Sequence, residues 1–354
     1  MGGGAMNLEP FTVPARFFEK HPSGKIRCML CPIHCLIAEG KDGCCGTRRV
    51  RNGVLEAVNW GLVVSAGVDP IEKKPLYHFH PGSGVLSFGG IGCNMRCLHC
   101  QNASISVPRI TRMAHPMSAD AHPWTPEEVV EAAVSRQADG IAFTYNEPTI
   151  WWEWAYPVSE LAKEKGLYTV FVTNAYIEEK PLDKIAPYID AYAADLKGWG
   201  KDFYQKFSKA PRWEKVLDAI NRAKNVHNMH VEITTNVVPG WNDDGKMLYN
   251  IAGWIHDNLG PLTVWHLSRF IPAHKMRDSE PTPVKTLLRA RDIGHDVGLK
   301  HVFLGNVHGI EDVENSHCPN CDNPLIRRTG YTTRIIGLEG DRCAQCGAET
   351  GIVR

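Results

Sequence analysis

The feature that most constrains the fold is a regular alternation between short apolar runs and amphipathic segments from residue 84 to residue 310. The apolar runs are rich in β-branched and aromatic residues, which is typical of parallel strands buried on both faces. We predict strands at 85–88, 141–145, 168–173, 191–196, 231–238, 263–268 and 301–304. We predict helices at 125–137, 150–164, 213–225, 246–258 and 284–297. This alternation indicates a parallel α/β barrel or open sheet, in which chemistry collects at the carboxyl ends of the strands.

The twelve cysteines fall in three clusters, at 28–45, 93–100 and 318–346, and none lies between the second and third clusters. In a reducing compartment, clustered cysteines are more often metal ligands or catalysts than disulfide partners. We therefore predict that at least two of the clusters are metal sites. The pattern divides the chain into an N-terminal cysteine-rich metal-binding segment (1–80), a barrel (81–312) and a small C-terminal domain (313–354).

The composition is that of an ordinary soluble globular protein, with 43% hydrophobic and 22% charged residues. The 39 basic and 39 acidic residues balance, so the bulk charge gives no sign of binding to nucleic acid or an anionic membrane. No apolar run approaches the ~20 residues of a membrane span. The start, MGGGAMNLEPF, lacks the basic-then-apolar layout of an export signal. We expect a cytoplasmic protein.

The segment SFGGIGCNMRCLHCQN directly follows the first predicted strand and places Cys93, Cys97 and Cys100 in a C-x3-C-x2-C pattern. Three thiolates are one short of the four ligands that usually close a zinc site, although His99 could complete a zinc knuckle. A [4Fe–4S] cluster held by three cysteines instead leaves one iron open. That iron can chelate S-adenosylmethionine (SAM), and an electron passed through the cluster then yields methionine and a 5′-deoxyadenosyl radical. We predict these three cysteines as the catalytic cluster ligands.

This segment resembles the radical SAM signature, and its surroundings resemble the branch that contains pyruvate formate-lyase activating enzyme. A closer resemblance is to the AmmeMemoRadiSam system radical SAM enzymes, which share the motifs CMLCPIHC…GCCGTR, CNMRCLHCQN, YNEP, DLK and GNVHG and a C-terminal ribbon. The resemblance covers nearly the whole chain. It implies a partial (β/α)6-type barrel, hydrogen abstraction from a small molecule or a protein, a flavodoxin- or ferredoxin-like electron donor, and partners of the Memo and AMMECR1 families.

The resemblance also implies SAM-binding residues at the strand ends and beside the cluster. They are His99, where relatives usually place an aromatic ring beside adenine, and Asn146, Glu147, Thr173, Asn174, Asp195, Lys197 and His266. The residue patterns alone leave other interpretations open. An Asn-Glu-Pro sequence is more often a turn that begins a helix, Lys197 fits a surface lysine equally well, and a lone histidine in a strand is more often a satisfied core residue.

The C-terminal cysteines form two C-x2-C pairs, Cys318 with Cys321 and Cys343 with Cys346, separated by twenty-one residues. This spacing is typical of a zinc ribbon, and a rubredoxin-like iron site is the alternative. Zinc ribbons often bind nucleic acid, but the three arginines at 327, 328 and 334 are more simply a solvated face. We expect zinc with a structural or partner-docking role.

The N-terminal cluster consists of Cys28, Cys31 and Cys35, followed by Cys44 or Cys45. One cysteine is too many for a four-ligand site, and the family spacing selects Cys45. The set could hold zinc or an auxiliary iron–sulfur cluster that relays electrons. In glycyl-radical activating enzymes, auxiliary-cluster cysteines usually follow the SAM motif, whereas these precede it, so we expect zinc.

Two other functions compete with the general radical SAM interpretation. The first is an activase that installs a glycyl radical on a large enzyme, as pyruvate formate-lyase activating enzyme does. The second is a non-catalytic, metal-binding docking protein. The second alternative predicts that the reduced protein forms no 5′-deoxyadenosine from SAM.

Overall fold

A computed structural model of the protein describes residues 7–108, 110, 122–307 and 309–354. The described strands are β1 (Val13–Pro14), β2 (Phe18–Lys20), β3 (Ile26–Cys28), β4 (Leu36–Ile37), β5 (Arg48–Arg51), β6 (Val54–Ala57), β7 (Ser65–Pro70), β8 (Gly84–Gly89), β9 (Gly140–Phe143), β10 (Tyr168–Thr173), β11 (Ala191–Asp195), β12 (His230–Val237), β13 (Trp265–Arg269), β14 (Val302–Gly305), β15 (Ser316–His317), β16 (Pro324–Thr329), β17 (Thr332–Ile335), β18 (Leu338–Glu339) and β19 (Arg342–Cys343). The described α-helices are α1 (Ala103–Ser106), α2 (Pro126–Ser135), α3 (Trp152–Glu164), α4 (Glu179–Ile185), α5 (Lys201–Phe203), α6 (Glu214–Asn225), α7 (Gly245–Leu259) and α8 (Val284–Val297). Shorter helical turns lie at Glu9–Phe11, Ile71–Lys73, Pro148–Trp151, Ala186–Tyr188, Tyr204–Ser208 and His274–Met276. None of the described helices is long and apolar enough to cross a bilayer.

The central sheet has eight strands in the order β14-β13-β12-β11-β10-β9-β8-β7. Strands β8 to β14 are parallel, and each of the seven predicted apolar runs lies in one of them. The predicted α/β class and partial barrel are therefore confirmed, although the parallel sheet has seven strands rather than six. Strand β7 pairs antiparallel with β8, so residues 65–70 extend the parallel sheet at one edge.

The helices form where the sequence provides start signals and one apolar face. Helix α2 begins with a capping box: the Thr125 hydroxyl accepts a 3.2 Å hydrogen bond from the Glu128 N–H, and the Glu128 carboxylate accepts one of 2.8 Å from the Thr125 N–H. Helix α3 buries Trp152 and Trp154, and each indole N–H donates to a backbone carbonyl. Both indoles therefore belong to the hydrophobic core, because they are buried and their polar N–H groups are satisfied.

The C-terminal domain packs against the barrel through one of the arginines expected on a solvated face. Arg328 in β16 is 7% exposed, and its guanidinium donates to the Tyr77 carbonyl at 2.5 Å and lies 4.3 Å from the Tyr77 ring centroid. It also donates to the Ser316 hydroxyl at 3.0 Å. The solvated-face prediction is therefore wrong for Arg328, because its long side chain reaches a carbonyl and a ring on another part of the chain.

The amino end of the barrel is closed by the segment that carries Tyr77 and His78. The buried Glu232 carboxylate in β12 accepts hydrogen bonds from the N–H groups of both residues, at 2.9 and 2.7 Å. The side chains of His266 (2.6 Å) and His230 (3.0 Å) contact the same carboxylate. Burial opposes ionisation of Glu232, but the hydrogen bonds from the two histidines outweigh it and hold its pKa well below the usual range. The buried Glu232 carboxylate thus holds four residues together in the inner layer of the barrel, which lies at its amino end.

Replacing Glu232 tests this account of the barrel interior. We expect Glu232→Ala to lower the free energy of unfolding by about 3–5 kcal/mol, because the variant leaves buried donors without their acceptor. Because the pKa is lowered in the folded state, this contribution is fully present above the pKa of an unfolded glutamate, ~4.3, and is lost as the pH falls below it. Chemical denaturation at pH 7 and at low pH measures both effects. The exposed Glu131→Ala control should change stability by less than about 0.5 kcal/mol; equal effects of the two variants would contradict the account.

Candidate active site and metal centres

The loop that carries the central cysteines is held against the end of the next strand by Asn146. Its side-chain oxygen accepts a 2.9 Å hydrogen bond from the Gly90 N–H, and its amide nitrogen donates to the Gly92 carbonyl at 3.0 Å. Gly92 has a φ of +93°, and a Cβ at this position would lie 2.7 Å from the Cys45 carbonyl oxygen. Only glycine fits there without strain. The loop therefore lies between β9 and the N-terminal segment.

A cavity of about 400 Å³ opens at the carboxyl ends of the parallel strands, and Cys93, Cys97 and Cys100 line it. The other sequence-predicted residues that line it are His99, Asn146, Thr173, Asn174, Asp195 and Lys197. Parallel strands of a barrel present their carboxyl ends on one face, which is why residues from separate strands meet here. The structure thus brings together the three cysteines and six of the eight residues predicted to contact SAM.

The spacing of the three thiols suits a cluster better than a single ion. Across the part of the chain that the structure describes, only the C-terminal set of cysteines brings three or more possible ligand atoms within 4.8 Å of one another. At least two of the sulfurs of Cys93, Cys97 and Cys100 therefore lie farther apart than those of the C-terminal set, which has the spacing of one tetrahedral zinc ion. An iron–sulfur cube, which has an iron at each ligated corner, needs this wider separation. The residues present fit the cluster and do not form a zinc knuckle.

Hydrogen-bond donors surround the thiol of Cys93. The Met95 N–H donates to its Sγ at 3.3 Å, and the Asn174 side-chain amide donates at 3.5 Å. Burial raises the pKa of Cys93 well above that of an ordinary thiol, and the charge of Glu147 adds to the effect. A buried thiol of this kind binds metal only by losing its proton, and the two donors then stabilise the thiolate sulfur.

His99 lies beside the cluster loop as a neutral aromatic ring. It is 8% exposed, and its ring centroid lies 4.7 Å from that of Phe207. Burial and the charge of Lys197 lower the pKa of His99 to about 3. Its Nδ1 has no hydrogen-bond partner among the residues that the structure describes. Such a ring can stack on the face of a heterocyclic base, and its unpaired nitrogen can form a hydrogen bond with the edge of the base.

Asp195 and Lys197 form an ion pair inside the cavity, with 2.6 Å between the lysine nitrogen and a carboxylate oxygen. Residues two apart on an extended chain face the same side, so both line the cavity. Burial disfavours the charged lysine, but Asp195 and Cys97 outweigh it and raise the Lys197 pKa. The alternative of an exposed surface lysine is wrong.

Two of the residues predicted to contact SAM lie elsewhere. The Glu147 carboxylate is fully buried and accepts hydrogen bonds from the Thr173 hydroxyl (2.7 Å) and the Asn174 N–H (2.8 Å). It also accepts one from the Thr149 N–H, so it caps the helical turn, as the alternative interpretation of this motif proposed. His266 lies one layer deeper than the cavity, on Glu232, whereas Ser268, two residues later, lines the cavity.

One wall of the same cavity, here called the basic wall, carries Lys73 and Lys74, which the sequence patterns did not predict as site residues. Lys74 is 1% exposed, bonds to Asp69 at 2.5 Å and lies 4.7 Å from the centre of the Tyr145 ring. Burial lowers the pKa of Lys74 to about 8 although Asp69 opposes the shift. Lys73 also lines the cavity and bonds to the other oxygen of Asp69. The wall therefore carries two cations for one anion. The local sequence at residues 72–75, EKKP, gives no sign that Lys74 lines a cavity.

The opposite wall contains polar atoms that no described residue satisfies. The Thr234 hydroxyl and the Asn236 side-chain oxygen are buried and have no hydrogen-bond partner within the described residues. Both lie at the end of β12 and line the cavity. Buried polar atoms of this kind ordinarily find a partner, so a bound molecule is the natural one at a cavity wall. The predicted strand at 231–238 contains both residues, but no pattern in the sequence marks them as site residues.

The family described as the radical SAM superfamily matches residues 89–250, which include the cysteine loop and the ends of five strands. A protein of Methanocaldococcus jannaschii described as uncharacterized is 45% identical over 341 residues, covering 96% of this chain and 99% of that protein. The chain belongs to the radical SAM superfamily. It is thus related to enzymes that cleave SAM reductively at a [4Fe–4S] cluster.

More distant relatives include enzymes that activate other enzymes. The 4-hydroxyphenylacetate decarboxylase activating enzyme of Clostridioides difficile is 23% identical over 198 residues, which is 52% of this chain and 60% of that enzyme. The crystal structure of a radical SAM methyltransferase from Sphaerobacter thermophilus has a TM-score of 0.50 at 13% identity, covering 89% of this chain and 81% of that one. The chain therefore shares its fold with that methyltransferase, and about half of it is similar in sequence to the activating enzyme.

The C-terminal cysteines form a compact cluster that could hold a metal ion. The four Sγ atoms of Cys318, Cys321, Cys343 and Cys346 lie within 4.8 Å of one another, and two of the pairs are 3.6 and 3.7 Å apart. This spacing fits one tetrahedral ion, whose Zn–S bonds of about 2.3 Å hold sulfurs at similar separations. The Asn320 side-chain amide donates to the Sγ of Cys346 at 3.6 Å. The site has both its ligands and an outer donor.

The N-terminal thiols line a small internal cavity, and all five of them take part. The Sγ atoms of Cys35 and Cys44 are 3.4 Å apart, and the Cys44 N–H donates to the Cys35 sulfur at the same distance. The Cys45 sulfur instead accepts a 3.3 Å hydrogen bond from the Thr47 hydroxyl. Both Cys44 and Cys45 line this cavity, so the choice of Cys45 as the fourth ligand stays a prediction.

Removing one C-terminal ligand tests the compact site. We expect Cys346→Ala to lower the bound metal by about one ion per chain, because three remaining thiolates close a structural site poorly. Inductively coupled plasma mass spectrometry measures the loss. Asn320→Ala, which removes an outer donor only, should keep nearly full occupancy. An unchanged metal content in Cys346→Ala would show that these cysteines hold no ion.

Proposed function

We propose that Cys93, Cys97 and Cys100 hold the [4Fe–4S] cluster of this radical SAM enzyme and that its open iron takes SAM. The observation that carries the proposal is one cavity in which three widely spaced thiols face polar strand ends. When bound, the cluster supplies the electron that splits the SAM carbon–sulfur bond. The protein then directs the 5′-deoxyadenosyl radical towards hydrogen abstraction from a substrate in the same cavity.

The protein residues serve to bind and orient SAM. Asn146 holds the cluster loop, and Glu147 holds the strand end that carries Asn174, so these residues position the loop and the strand relative to each other. The carboxylate of Asp195 suits the SAM ammonium or ribose, and the ring of His99 suits adenine. Apolar packing of the surrounding strands limits water at the reacting centre. These roles are supported by contacts along one cavity wall.

We infer further that the enzyme belongs to the AmmeMemoRadiSam group, on the motifs that it shares with that group. Of the GNVHG motif, His308 lies outside the described residues. Membership implies partners of the Memo and AMMECR1 families and a flavodoxin- or ferredoxin-like donor. We also propose zinc in the C-terminal site, which has ribbon spacing, and a cytoplasmic location, because thiol clusters of this kind persist in a reducing compartment.

Activation of a glycyl-radical enzyme is the second candidate function. It is favoured by relatives named as activating enzymes, among them the (2S)-3-sulfopropanediol dehydratase activating enzyme of Klebsiella oxytoca, 24% identical over 125 residues. That match spans 39% of the relative's length. A glycyl-radical signal in a co-purified large enzyme would favour this function over small-molecule chemistry.

The cluster assignment predicts that Cys97→Ala abolishes SAM cleavage. Loss of one of three ligands releases the cluster and leaves no path for the electron. The assay reconstitutes the protein without oxygen, adds dithionite and SAM, and quantifies 5′-deoxyadenosine by mass spectrometry. Cys346→Ala, in the distant C-terminal site, should keep cleavage near the native level. A Cys97→Ala variant that forms the native amount of product would refute the assignment.

The basic wall predicts a substrate that carries an anionic group. Lys73 and Lys74 exceed the charge of Asp69, so the cavity attracts a carboxylate or phosphate. We expect Lys74→Met to lower 5′-deoxyadenosine formation stimulated by a small-molecule cell extract at least about tenfold, since a lost buried charge contact costs that much or more. Basal SAM cleavage should fall far less. Lys73→Met, at a partly exposed position, is the matched variant and should lower the stimulation less. Equal stimulation of the native protein and Lys74→Met would show that Lys74 does not bind the substrate.

A further inference from the structure

The N-terminal thiols are gathered around a buried positive charge. Arg48 is 1% exposed and lines the same cavity as Cys28, Cys31 and Cys45. One of its terminal nitrogens donates to Glu153 at 2.6 Å. Its Nε and its other terminal nitrogen have no hydrogen-bond partner within the described chain. Glu153 balances the charge of Arg48, but a buried donor without an acceptor is costly, so the arrangement calls for further acceptors beside the other two nitrogens.

The groups in the same cavity that can supply those acceptors are the thiols themselves. Neutral thiols are weak hydrogen-bond acceptors. A metal that deprotonates the thiols turns the cavity into a negatively charged sulfur cage. Its thiolate sulfurs accept hydrogen bonds from a guanidinium. A metal site therefore satisfies both the orphan nitrogens of Arg48 and the clustering of five cysteines.

The geometry favours an iron–sulfur cluster over zinc. Among the described residues, the C-terminal cysteines are gathered within 4.8 Å for a single ion, but no three of the N-terminal thiols are. Four tetrahedral ligands of zinc would have to be as close as the C-terminal set, whereas a cluster spreads its thiolates over separate irons. The Sγ atoms of Cys35 and Cys44 lie only 3.4 Å apart, so one of these two thiols, together with the buried Cys28, Cys31 and Cys45, would supply the four cluster ligands.

The backbone that carries the N-terminal cysteines is also in direct contact with the loop of the catalytic cluster. The guanidinium of Arg96 donates to the Cys93 carbonyl at 2.6 Å and, from another nitrogen, to the Cys44 carbonyl. The Gly92 backbone packs on the Cys45 carbonyl, with no room for a side chain between them. One arginine and one backbone contact thus join the two segments that carry the cysteines.

We propose that the N-terminal cysteines hold a redox-active iron–sulfur cluster that passes electrons to the SAM-binding cluster. A one-electron donor protein of the flavodoxin or ferredoxin class reduces the N-terminal cluster by one electron. That cluster returns to its oxidised state as it reduces the catalytic cluster by one electron, and no bond or proton changes in the transfer. The relay rests on the proposed radical SAM function, but the presence of the cluster can be tested without SAM.

The first experiment measures metals in the triple variant Cys93→Ala/Cys97→Ala/Cys100→Ala, which lacks the catalytic ligands. We expect about four iron atoms and about one zinc ion per chain, the zinc coming from the C-terminal site. Reduction should produce one cluster signal in electron paramagnetic resonance. Two zinc ions without iron, or neither metal in the N-terminal site, would overturn the proposal. The outcome is independent of SAM cleavage and therefore of the proposed function.

The second experiment places the cluster beside Arg48. In the triple variant, Arg48→Met should shift the reduction potential of the remaining cluster to lower values, because a positive charge that stabilises the reduced form is lost. Arg49→Met, on the partly exposed ion pair with Asp42, is the matched control and should shift it much less. Equal potentials in all three proteins would overturn the assignment.

The third experiment tests the relay. Cys28→Ala/Cys31→Ala should lower the ratio of flavodoxin-driven to dithionite-driven 5′-deoxyadenosine formation at least tenfold, because dithionite can reach the catalytic cluster directly. Arg96→Met, which removes the bridge and keeps both ligand sets, should lower the same ratio. Unchanged ratios in both variants would exclude electron transfer through the N-terminal cluster.

Discussion

The whole site depends on how the loop after β8 is clamped. Asn146 bonds the loop on two sides, and the absence of a side chain at Gly92 lets the N-terminal segment pack directly against it. This contact fixes the direction in which Cys93, Cys97 and Cys100 leave the strand, so their sulfurs line one cavity. Glu147 supports the same arrangement from below by bonding the end of β10. Chemistry at the mouth of the barrel thus rests on hydrogen bonds that never touch the reacting atoms.

The segment between β7 and β8 connects the two ends of the barrel. Its Tyr77 and His78 close the amino end on Glu232 and offer Arg328 of the C-terminal domain a carbonyl and a ring. A few residues earlier, Lys74 reaches the cavity at the carboxyl end. The buried Glu232 carboxylate therefore stabilises the amino end of the barrel interior, while the buried Lys74 ammonium lines the cavity at the carboxyl end. This division explains how a polar barrel interior can be stable at one end and able to bind a ligand at the other.

Sequence reasoning succeeded where the physical signal is local. Consecutive apolar residues located all seven parallel strands, because strands buried on both faces need them. Cysteine spacing located the thiol sets for the same local reason. Sequence reasoning was less informative where the position of a side chain depends on a distant partner. Glu147 turns inward to cap a helical turn, and His266 bonds to Glu232 one layer below the cavity. Lys74 could not be predicted as a site residue, because nothing in the sequence EKKP indicates Asp69 and Tyr145 as its partners.

The central claim is that one iron at the middle thiols has no protein ligand and binds SAM. The most direct measurement is electron–nuclear double resonance on the reduced, oxygen-free protein mixed with SAM that carries nitrogen-15 in its amino group. The account predicts a strong hyperfine coupling between that nitrogen and the cluster, lost in Cys97→Ala. A cluster that shows no coupling to SAM and carries a protein nitrogen, such as that of His99, on its fourth iron would contradict it.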